Sequence, residues 1–401
     1  MNNIHVFGEL CTRCKGRLWC GLPKCPILES VKDYLPRIRL SSGSIYGPSP
    51  PSIFVGRFGY PNVLAGPLVT EKREALFSST KELYGKTFGD ILSRTASLIR
   101  TVKRVNVKKM KGRIVESSQE IAMSERALDT EIWIEKLYGY GDVDDYFHPT
   151  GPRIEPRKID VVDNPLIPRK VDMLVEERLK ATTAIYELYS YGYDVDYLQR
   201  LLSSGILGRE RKLVPTRWSI TAVDDIISRK LLQNVREYDE IGEIEYYFNS
   251  FMGNDFHIIL IPGNWEYEMI ESWLRGSLYS PSTSTLGEDY EPFEGRKDYA
   301  SNITGAYYAA RLAAVEYLSR RRKQAKVLIY REIKPEYKIP LGVWVIRETV
   351  RNAFLKKPVK FREIDMAIMF AENKSRVKRW SKKSKILRNM KLQKKLEDFM
   401  R

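Results

Sequence analysis

The stretch FHIILIP, residues 256–262, and the stretch AKVLIYR, residues 325–331, are short apolar runs typical of buried strands. Between them, residues 306–320 place apolar side chains at helical spacing, which predicts a helix. A third apolar run, LGVWVI at 341–346, is also predicted to be a strand. Because strands and helices alternate here, the sequence favours a mixed α/β (α+β) core over a helical bundle.

In the part of the chain before this core, the sequence predicts strands and turns at residues 41–70 and a helix after residue 117. Residues 41–70 are rich in Gly, Pro and Ser but contain strand-like insertions at 53–55 and 63–64, so we expect a turn-rich β segment. Ser117 and Glu120 have the spacing of a capping box, which predicts the start of a helix that runs towards Leu137.

The middle of the chain is punctuated by prolines. Five of them lie between residues 144 and 168, which predicts a long irregular connection. Apolar spacing then predicts a helix from Val171 to about Tyr189. Thr221 and Asp224 have the character of capping residues and predict that another helix opens there.

Charge is distributed unevenly along the 401 residues. The chain has 67 Lys and Arg against 51 Asp and Glu, a net charge of +16. Eleven of the cations, and no acidic residue, lie in residues 373–396, so the rest of the chain is nearly balanced. Such a run predicts a flexible tail and a polyanionic partner, with DNA and RNA as the main candidates. No apolar window is long enough for a membrane span.

All four cysteines fall between residues 11 and 25, with the spacing C-x2-C, five residues, then C-x4-C. Two close pairs of thiolates are the usual ligands of structural zinc, so we predict one Zn²⁺ ion. An iron–sulfur cluster on the same thiolates, or two disulfides, are the alternatives. The predicted ligands are Cys11, Cys14, Cys20 and Cys25.

The end of the chain carries a second short motif. Gln393, Leu396, Phe399 and Met400 follow the pattern Q-x-x-ψ-x-x-F-ψ, in which Leu396 and Phe399 would project together from a single 3₁₀ turn. The pattern resembles the peptide (PIP motif) by which proteins bind the DNA sliding clamp, PCNA. Met400 stands where that peptide usually has a second aromatic residue, which should weaken binding.

Several residues outside the cysteines and the terminus have the chemistry of ligand binding. Arginine, hydroxyl and aromatic groups can grip a phosphate or stack on a base, and paired carboxylates can hold Mg²⁺. Each candidate also has an alternative explanation. Arg57 would simply occupy a hairpin, Trp218 would lie in the core, and Arg217 would pair with Asp224 or Asp225. The basic residues at the C-terminus would form a solvated tail or a helix on a membrane surface. The candidates are Arg57, Thr216, Arg217, Trp218, Ser219, Asp224, Asp225, Lys378, Arg379 and Trp380.

Three stretches together resemble a known family: the four-cysteine segment, GPSPPSIFVGRFGYP at 47–61 and PTRWSITAVDD at 215–225, with the clamp-like terminus behind them. The sequence is similar over essentially its whole length to the archaeal Nre family of DNA repair proteins, of the NreA type. The resemblance implies a cytoplasmic, nucleoid-associated zinc protein that acts in DNA-damage repair, binds PCNA and contacts DNA.

Two alternatives to the repair role remain. One is an RNA- or ribosome-associated binding protein, and the other is a nuclease or hydrolase that uses residues 215–225. The chain has no recognisable catalytic motif, which favours a non-catalytic role.

We expect four regions along the chain. They are a zinc module at 1–40, an N-terminal core at 41–275, a C-terminal α/β core at 276–372 and the basic tail at 373–401.

Overall fold

The structure is a computed structural model that describes residues 9–35, 43–140 and 146–399, with the last seven as backbone only. Those residues form mixed α/β structure, as expected. The helices are α1 (Glu9–Cys14), α2 (Pro26–Val31), α3 (Phe88–Ala96), α4 (Arg113–Met123), α5 (Arg169–Glu176), α6 (Ala181–Ser190), α7 (Val195–Ser203), α8 (Thr216–Val235), α9 (Gly305–Arg321), α10 (Trp344–Ala353), α11 (Ile364–Lys374) and α12 (Lys385–Phe399).

Strands occupy two separate sheets. The strands are β1 (Ser44–Ser49), β2 (Ile53–Val55), β3 (Asn62–Val69), β4 (Ile99–Thr101), β5 (Lys103–Asn106), β6 (Leu128–Tyr140), β7 (Pro152–Val161), β8 (Ile244–Phe251), β9 (Asn254–Ile261), β10 (Glu266–Trp273), β11 (Thr285–Glu291), β12 (Lys326–Ile333) and β13 (Val359–Phe361). Among the helices of the described segments, none is long and apolar enough to cross a bilayer.

The chain divides into two compact units. The first, here called the N-terminal unit, contains residues 29–227 and 340–342, and the C-terminal unit contains the remaining described residues on either side. Helix α8 contributes its residues up to Ile227 to the N-terminal unit and its residues from Ser228 to the C-terminal unit. These two units divide the chain differently from the four expected regions.

The N-terminal unit is organised around a seven-stranded sheet. Its strand order is β1-β6-β7-β4-β3-β2, and β5 pairs with β3. All its pairs are antiparallel except β4 with β7. Branched side chains from five strands form a buried cluster on this sheet: Ile45, Val69, Ile99, Ile132, Ile154 and Ile159. The turn-rich β segment expected at 41–70 is confirmed as β1, β2 and β3.

The C-terminal unit contains a six-stranded sheet of order β11-β10-β12-β9-β8-β13. Only β10 and β12 run parallel, and α9 (305–321) lies between them in sequence. The apolar runs at 256–262 and 325–331 are therefore confirmed as strands β9 and β12, and the helix expected between them is confirmed as α9. In β9 every residue is buried, which explains why its sequence shows no alternation.

The basic segment from residue 373 to 392 is part of this fold, so the prediction of a flexible tail is wrong for these residues. Trp380 is completely buried and its ring stacks on Tyr330, with ring centroids 4.3 Å apart. Two acidic side chains of the sheet hold the segment. Glu332 accepts the amides of Arg376 and Val377, and Glu268 accepts those at the start of α12.

Two expected elements are replaced by others. The apolar run at 341–346 is not a strand, because α10 begins at Trp344 and the run ends in its first turn. Within the helix, Ile346, Val350 and Ala353 have helical spacing, but this pattern begins only at the end of the apolar run. The helix expected from Ser117 towards Leu137 is also wrong. Helix α4 ends at Met123 and is followed by strand β6, so Ser117 lies inside α4 as a buried residue.

The proline-rich connection expected at 144–168 contains strand β7. Pro156 is tolerated there because it pairs with Ile134, where the register of β6 and β7 shifts. The helix expected over 171–189 is two helices, α5 and α6, interrupted near Arg178, whose φ is +51°. Helix α8 begins five residues before Thr221, at Thr216, directly after Pro215.

Replacing Trp380 with alanine should lower the free energy of unfolding by about 3–5 kcal/mol, because it empties a fully buried aromatic site. Urea denaturation of the full chain measures this. Lys383→Ala, an exposed change in the same short 3₁₀ turn, is the matched control and should cost less than about 0.5 kcal/mol. Equal stability of the two variants would contradict the docked position of the segment.

Candidate functional site

Two sequence motifs that lie about 160 residues apart meet in the N-terminal unit. The backbone amide of Val55 donates a hydrogen bond of 2.9 Å to Oγ1 of Thr216, and both atoms are buried. Two residues further along α8, the ring of Trp218 lies 5.4 Å from the ring of Tyr60. The loop after β2 and the first turn of α8 therefore form one surface.

The hairpin of β2 and β3 shapes that loop. The Gly56 amide donates to the Leu64 carbonyl (2.8 Å), which continues the strand pairing by one residue. Gly59 has φ +78°, and a Cβ there would lie 2.9 Å from the Asn62 carbonyl oxygen, so this tight turn requires glycine. As a result Phe58 is held with 57% of its surface exposed.

A cavity of about 100 Å³ opens beside this loop. We call it the arginine cavity, because four of its lining residues are arginines. None of the side chains that the structure places in its lining is acidic. The chemically active lining residues are Arg57, Arg100, Arg153 and Arg217, the rings of Phe54, Phe58, Phe147 and His148, and the hydroxyl of Thr216.

Three of these arginines stack on aromatic faces. Stacking uses the face of the guanidinium group and leaves the N–H donors at its edge for hydrogen bonds to a ligand. It also fixes the orientation of the group, so less side-chain entropy is lost when a ligand binds. The distances from guanidinium carbon to ring centroid are 3.9 Å for Arg100 on Phe54, 4.4 Å for Arg57 on Phe58 and 3.9 Å for Arg217 on Tyr146.

His148 forms a neutral wall of the cavity. Its ring is 4% exposed and lies 4.0 Å from the ring of Phe147. Burial, with the positive charge of Arg100 in the same direction, lowers its pKa to about 4. Its Nδ1 lies 3.2 Å from the carbonyl oxygen of Pro149, which can only accept, so the neutral ring carries its proton there and Nε2 is an acceptor.

The predicted ligand residues divide into two groups. Arg57, Thr216 and Arg217 line the arginine cavity, and Trp218 is exposed beside it rather than in the core. By contrast, Ser219 and Asp224 do not line the arginine cavity because both are completely buried inside helix α8, and their ligand role stays a prediction.

These interior residues have structural partners. Ser219 donates to the Thr216 carbonyl (2.9 Å), and Asp224 accepts from Gln199 (3.3 Å). Asp225 is half-buried one position further along the helix and is not among the lining residues of the cavity. The Asp224 carboxylate lies inside the protein beside Gln199, and a magnesium site on the two aspartates stays a prediction.

Sequence reasoning missed Arg100, Arg153, Phe54 and His148. Phe54 lies inside the quoted stretch 47–61, so that motif was the available signal for it. Arg100 and Arg153 come from strands β4 and β7 and His148 from the segment before β7, and no quoted motif contains them. Arg100 and Arg153 are directly paired residues of the parallel strands β4 and β7. Their proximity depends on sheet topology, which the sequence pattern left undetermined.

The basic candidates lie in the C-terminal unit. Lys378 donates to three backbone carbonyls, those of Glu372 (2.7 Å), Asn373 (3.3 Å) and Ser375 (2.6 Å), and Arg379 is exposed. The expectation that Trp380 stacks on an unpaired base is wrong because its ring is enclosed by the core and its Nε1 donates to Ser375.

Each predicted zinc ligand lies in the described segment 9–35. The Trp19 amide donates to Sγ of Cys14 at 3.4 Å. Burial raises the pKa of Cys25, the amides of Leu28 and Ile27 oppose that shift, and the neighbouring thiols of Cys14 and Cys20 add to it. Within the described parts of the chain, no three His, Cys, Asp or Glu side chains are grouped as metal ligands, so zinc stays a prediction.

A buried ion pair anchors this segment to the C-terminal unit. Nζ of Lys15 lies 2.8 Å from Oε2 of Glu271 and also donates to the Ile303 carbonyl, 3.1 Å away. Arg331 binds the other carboxylate oxygen. Burial alone would raise the pKa of Glu271, but the two cations outweigh it and lower that pKa. The carboxylate is therefore charged and compensated inside the protein.

The His148 pKa predicts a specific pH dependence. The unfolded chain binds this proton near pH 6.5 and the folded chain only near pH 4, so stability is full above pH 6.5 and falls as the pH drops towards 4. The loss from this residue should reach about 3 kcal/mol. In His148→Gln, denaturation between pH 4.5 and 6 should show a slope lower by about 1 kcal/mol per pH unit. An unchanged slope would contradict a neutral, buried His148.

Comparison with known proteins identifies the family. The family model "Archaeal Nre, N-terminal" matches residues 19–280, and "Archaeal Nre, C-terminal" matches residues 291–399. "DNA repair protein NreA" of Archaeoglobus fulgidus is 40% identical over 92% of this chain and 95% of its own length. "DNA repair protein NreA" of Haloferax volcanii is 37% identical over 82% and 83%.

A third relative and the solved structures complete the comparison. "DNA repair protein NreB" of Archaeoglobus fulgidus is 34% identical over 97% of this chain and 100% of its own length. No solved structure matches the chain. Both family models and all three relatives agree with the resemblance seen in the sequence motifs. The chain belongs to the archaeal Nre family.

Proposed function

We propose that this chain is a DNA-repair factor that the sliding clamp PCNA recruits through the C-terminal residues. One observation carries the repair role: two relatives named DNA repair protein NreA are similar over more than four fifths of both chains. Similarity of that extent includes both units rather than a single shared module. The proposal places the protein in the cytoplasm, at the nucleoid, with a recruiting or DNA-contacting role and no catalysed reaction.

The clamp motif lies at the far end of an anchored helix. Buried Glu268 accepts hydrogen bonds from the Ser384 hydroxyl and from the amides of Lys385 and Ile386, which fixes the first turn of α12. Ile386 is fully buried, whereas Leu392, just before the motif, is 55% exposed. The proposed clamp-binding end therefore follows a part of the helix that has left the core.

The motif residues extend this helix. Gln393, Leu396 and Phe399 belong to the backbone of α12, their side chains lie outside the described part of the structure, and so does Met400. Binding to the clamp as a 3₁₀ turn would require the end of α12 to unwind. Helix termini fray at a free-energy cost close to zero, so this unwinding would cost little.

A folded basic surface supports the DNA contact. Exposed cations follow one another along the segment that Glu268 and Glu332 hold in place. Fixed cations lose less side-chain entropy on binding phosphates than the same cations on a disordered arm. A chain tethered through α12 would present this surface to the DNA on which the clamp sits. The exposed cations are Lys374, Arg376, Lys378, Arg379, Lys382, Lys383, Arg388 and Lys391.

The double substitution Leu396→Ala, Phe399→Ala should weaken binding to the archaeal sliding clamp by at least about 100-fold, because each lost apolar side chain contributes about 1.5–3 kcal/mol when buried. Calorimetric titration of full-length protein with the clamp measures this. Leu392→Ala, an exposed leucine on the same helix, is the matched control and should bind as the unmodified chain does. If both variants bind alike, the clamp proposal is wrong.

We also propose that Cys11, Cys14, Cys20 and Cys25 hold one structural zinc ion. Four thiols are the donor set that zinc prefers, and a closed tetrathiolate site leaves no position for catalysis. The N–H donors at Cys14 and Cys25 support this, because amide hydrogen bonds to sulfur stabilise thiolate ligands. An iron–sulfur cluster is the competing assignment.

Elemental analysis decides between these metals. The purified full chain should contain one zinc per molecule and show no visible absorption band, and Cys25→Ser should lose most of the metal. Lys24→Ala, an exposed change next to that cysteine, should keep it. A brown protein that contains iron, or a colourless one whose zinc content does not depend on Cys25, would contradict the assignment.

A further inference from the structure

We propose that the arginine cavity binds one unstacked nucleotide, with the base against its aromatic walls and the phosphate on its arginines. This inference rests on the proposed DNA-repair function, since it names the nucleic-acid unit that the N-terminal unit would recognise. The nucleotide can come from a DNA strand or be a free nucleoside monophosphate. Both share the chemistry of a flat ring joined to a phosphate.

The base site follows from the rings. Phe54, Phe147 and His148 line the cavity, and the neutral His148 has an acceptor at Nε2. Phe58, which lines the cavity, and the neighbouring Tyr60 and Trp218 are each more than two fifths exposed. Proteins bind unstacked bases by stacking them on aromatic side chains. The exposed rings would therefore replace the stacking that a base loses when it leaves its neighbours and enters the cavity.

The phosphate site follows from the guanidinium groups. Arg57 and Arg217 approach the cavity from the loop and from α8, and Arg100 and Arg153 approach it from adjacent strands. Nε of Arg153 is buried without a hydrogen-bond partner among the described residues. Guanidinium groups bind phosphate through paired N–H donors, and such charge-assisted bonds are roughly twice as strong as neutral ones.

A basic strand next to the loop extends this site along a nucleic-acid backbone. Strand β5 pairs with β3, so that Arg104 lies opposite Leu64, a lining residue of the cavity. Arg104 also donates to the Asn62 carbonyl at the foot of the loop (3.2 Å). Exposed Lys108 and Lys109 follow directly. Phosphates on either side of an inserted nucleotide would therefore meet positive charge.

The combination of groups selects the ligand class. An apolar ligand would gain nothing from four arginines, and an inorganic phosphate would gain nothing from the aromatic walls. Bases inside a duplex are stacked and paired, so their faces cannot reach a cavity of this size. A single unstacked nucleotide satisfies both the rings and the cations.

The test uses full-length protein, a fluorescent oligo(dT) single strand, and dTMP or inorganic phosphate as competitors at constant salt. Phe58→Ala should weaken oligo(dT) binding by roughly 5- to 150-fold, the range expected for one lost base stack. Arg57→Gln should weaken it by roughly 10- to 150-fold, the range expected for one lost hydrogen bond to a charged group. Tyr46→Ala and Arg157→Gln remove an exposed ring and an exposed charge elsewhere in the same unit and should leave binding unchanged. In the unmodified chain dTMP should compete, and phosphate should compete far less.

The outcomes separate this inference from the proposed function. If both cavity variants bind oligo(dT) normally while Lys382→Ala, Lys383→Ala weakens binding, the cavity inference is overturned and the DNA contact stands. Competition by phosphate as strong as by dTMP would overturn the base site. If dTMP binds in a Phe58-dependent manner but oligo(dT) does not bind, the cavity holds a free nucleotide and the proposed DNA contact falls.

Discussion

The buried hydrogen bond from the Val55 amide to the Thr216 hydroxyl is the constraint on which the proposed site depends. It joins the end of a short strand to the first residue of α8, so that Arg57 and Arg217 line the same cavity. The hydroxyl of Thr216 has two hydrogen-bond partners. It accepts from the buried amide of Val55 and lies 3.3 Å from the Ser203 hydroxyl. A residue without that oxygen would leave the Val55 amide unsatisfied and release the loop.

The two units place different parts of the proposed function on separate scaffolds. In the N-terminal unit, aromatic rings support arginines at a cavity, which suits the recognition of one flat anion. In the C-terminal unit, buried carboxylates support backbone amides, and this holds a row of cations and the start of α12 in place. Net charge therefore says little about where nucleic acid would bind, since the arginines that line the proposed nucleotide site are only four of 67 basic residues.

The sequence predicted the elements whose burial is uniform or whose turns are marked by glycine, and missed those that depend on tertiary contacts. Strands β9 and β12 were found because they are continuous apolar runs, whereas α10 was mistaken for a strand because its first turn, residues 344–346, also belongs to a continuous apolar run. Trp380 was expected to be exposed because its neighbours are basic. The segment packs on the sheet because Trp380 stacks on Tyr330 and because Glu268 and Glu332 accept its backbone amides. Arg57 and Arg217 were found by residue chemistry, but Arg100 and Arg153 required the pairing of β4 with β7.

Photochemical cross-linking tests the central claim most directly, because it reports which residues touch a base. Oligo(dT) that carries 5-iododeoxyuridine would be irradiated with the full-length protein, and the attached peptides identified by mass spectrometry. The account predicts attachment at Phe58, Tyr60 or Trp218, the exposed rings at the mouth of the arginine cavity. Attachment confined to the basic segment 374–391, with none in the N-terminal unit, would contradict it.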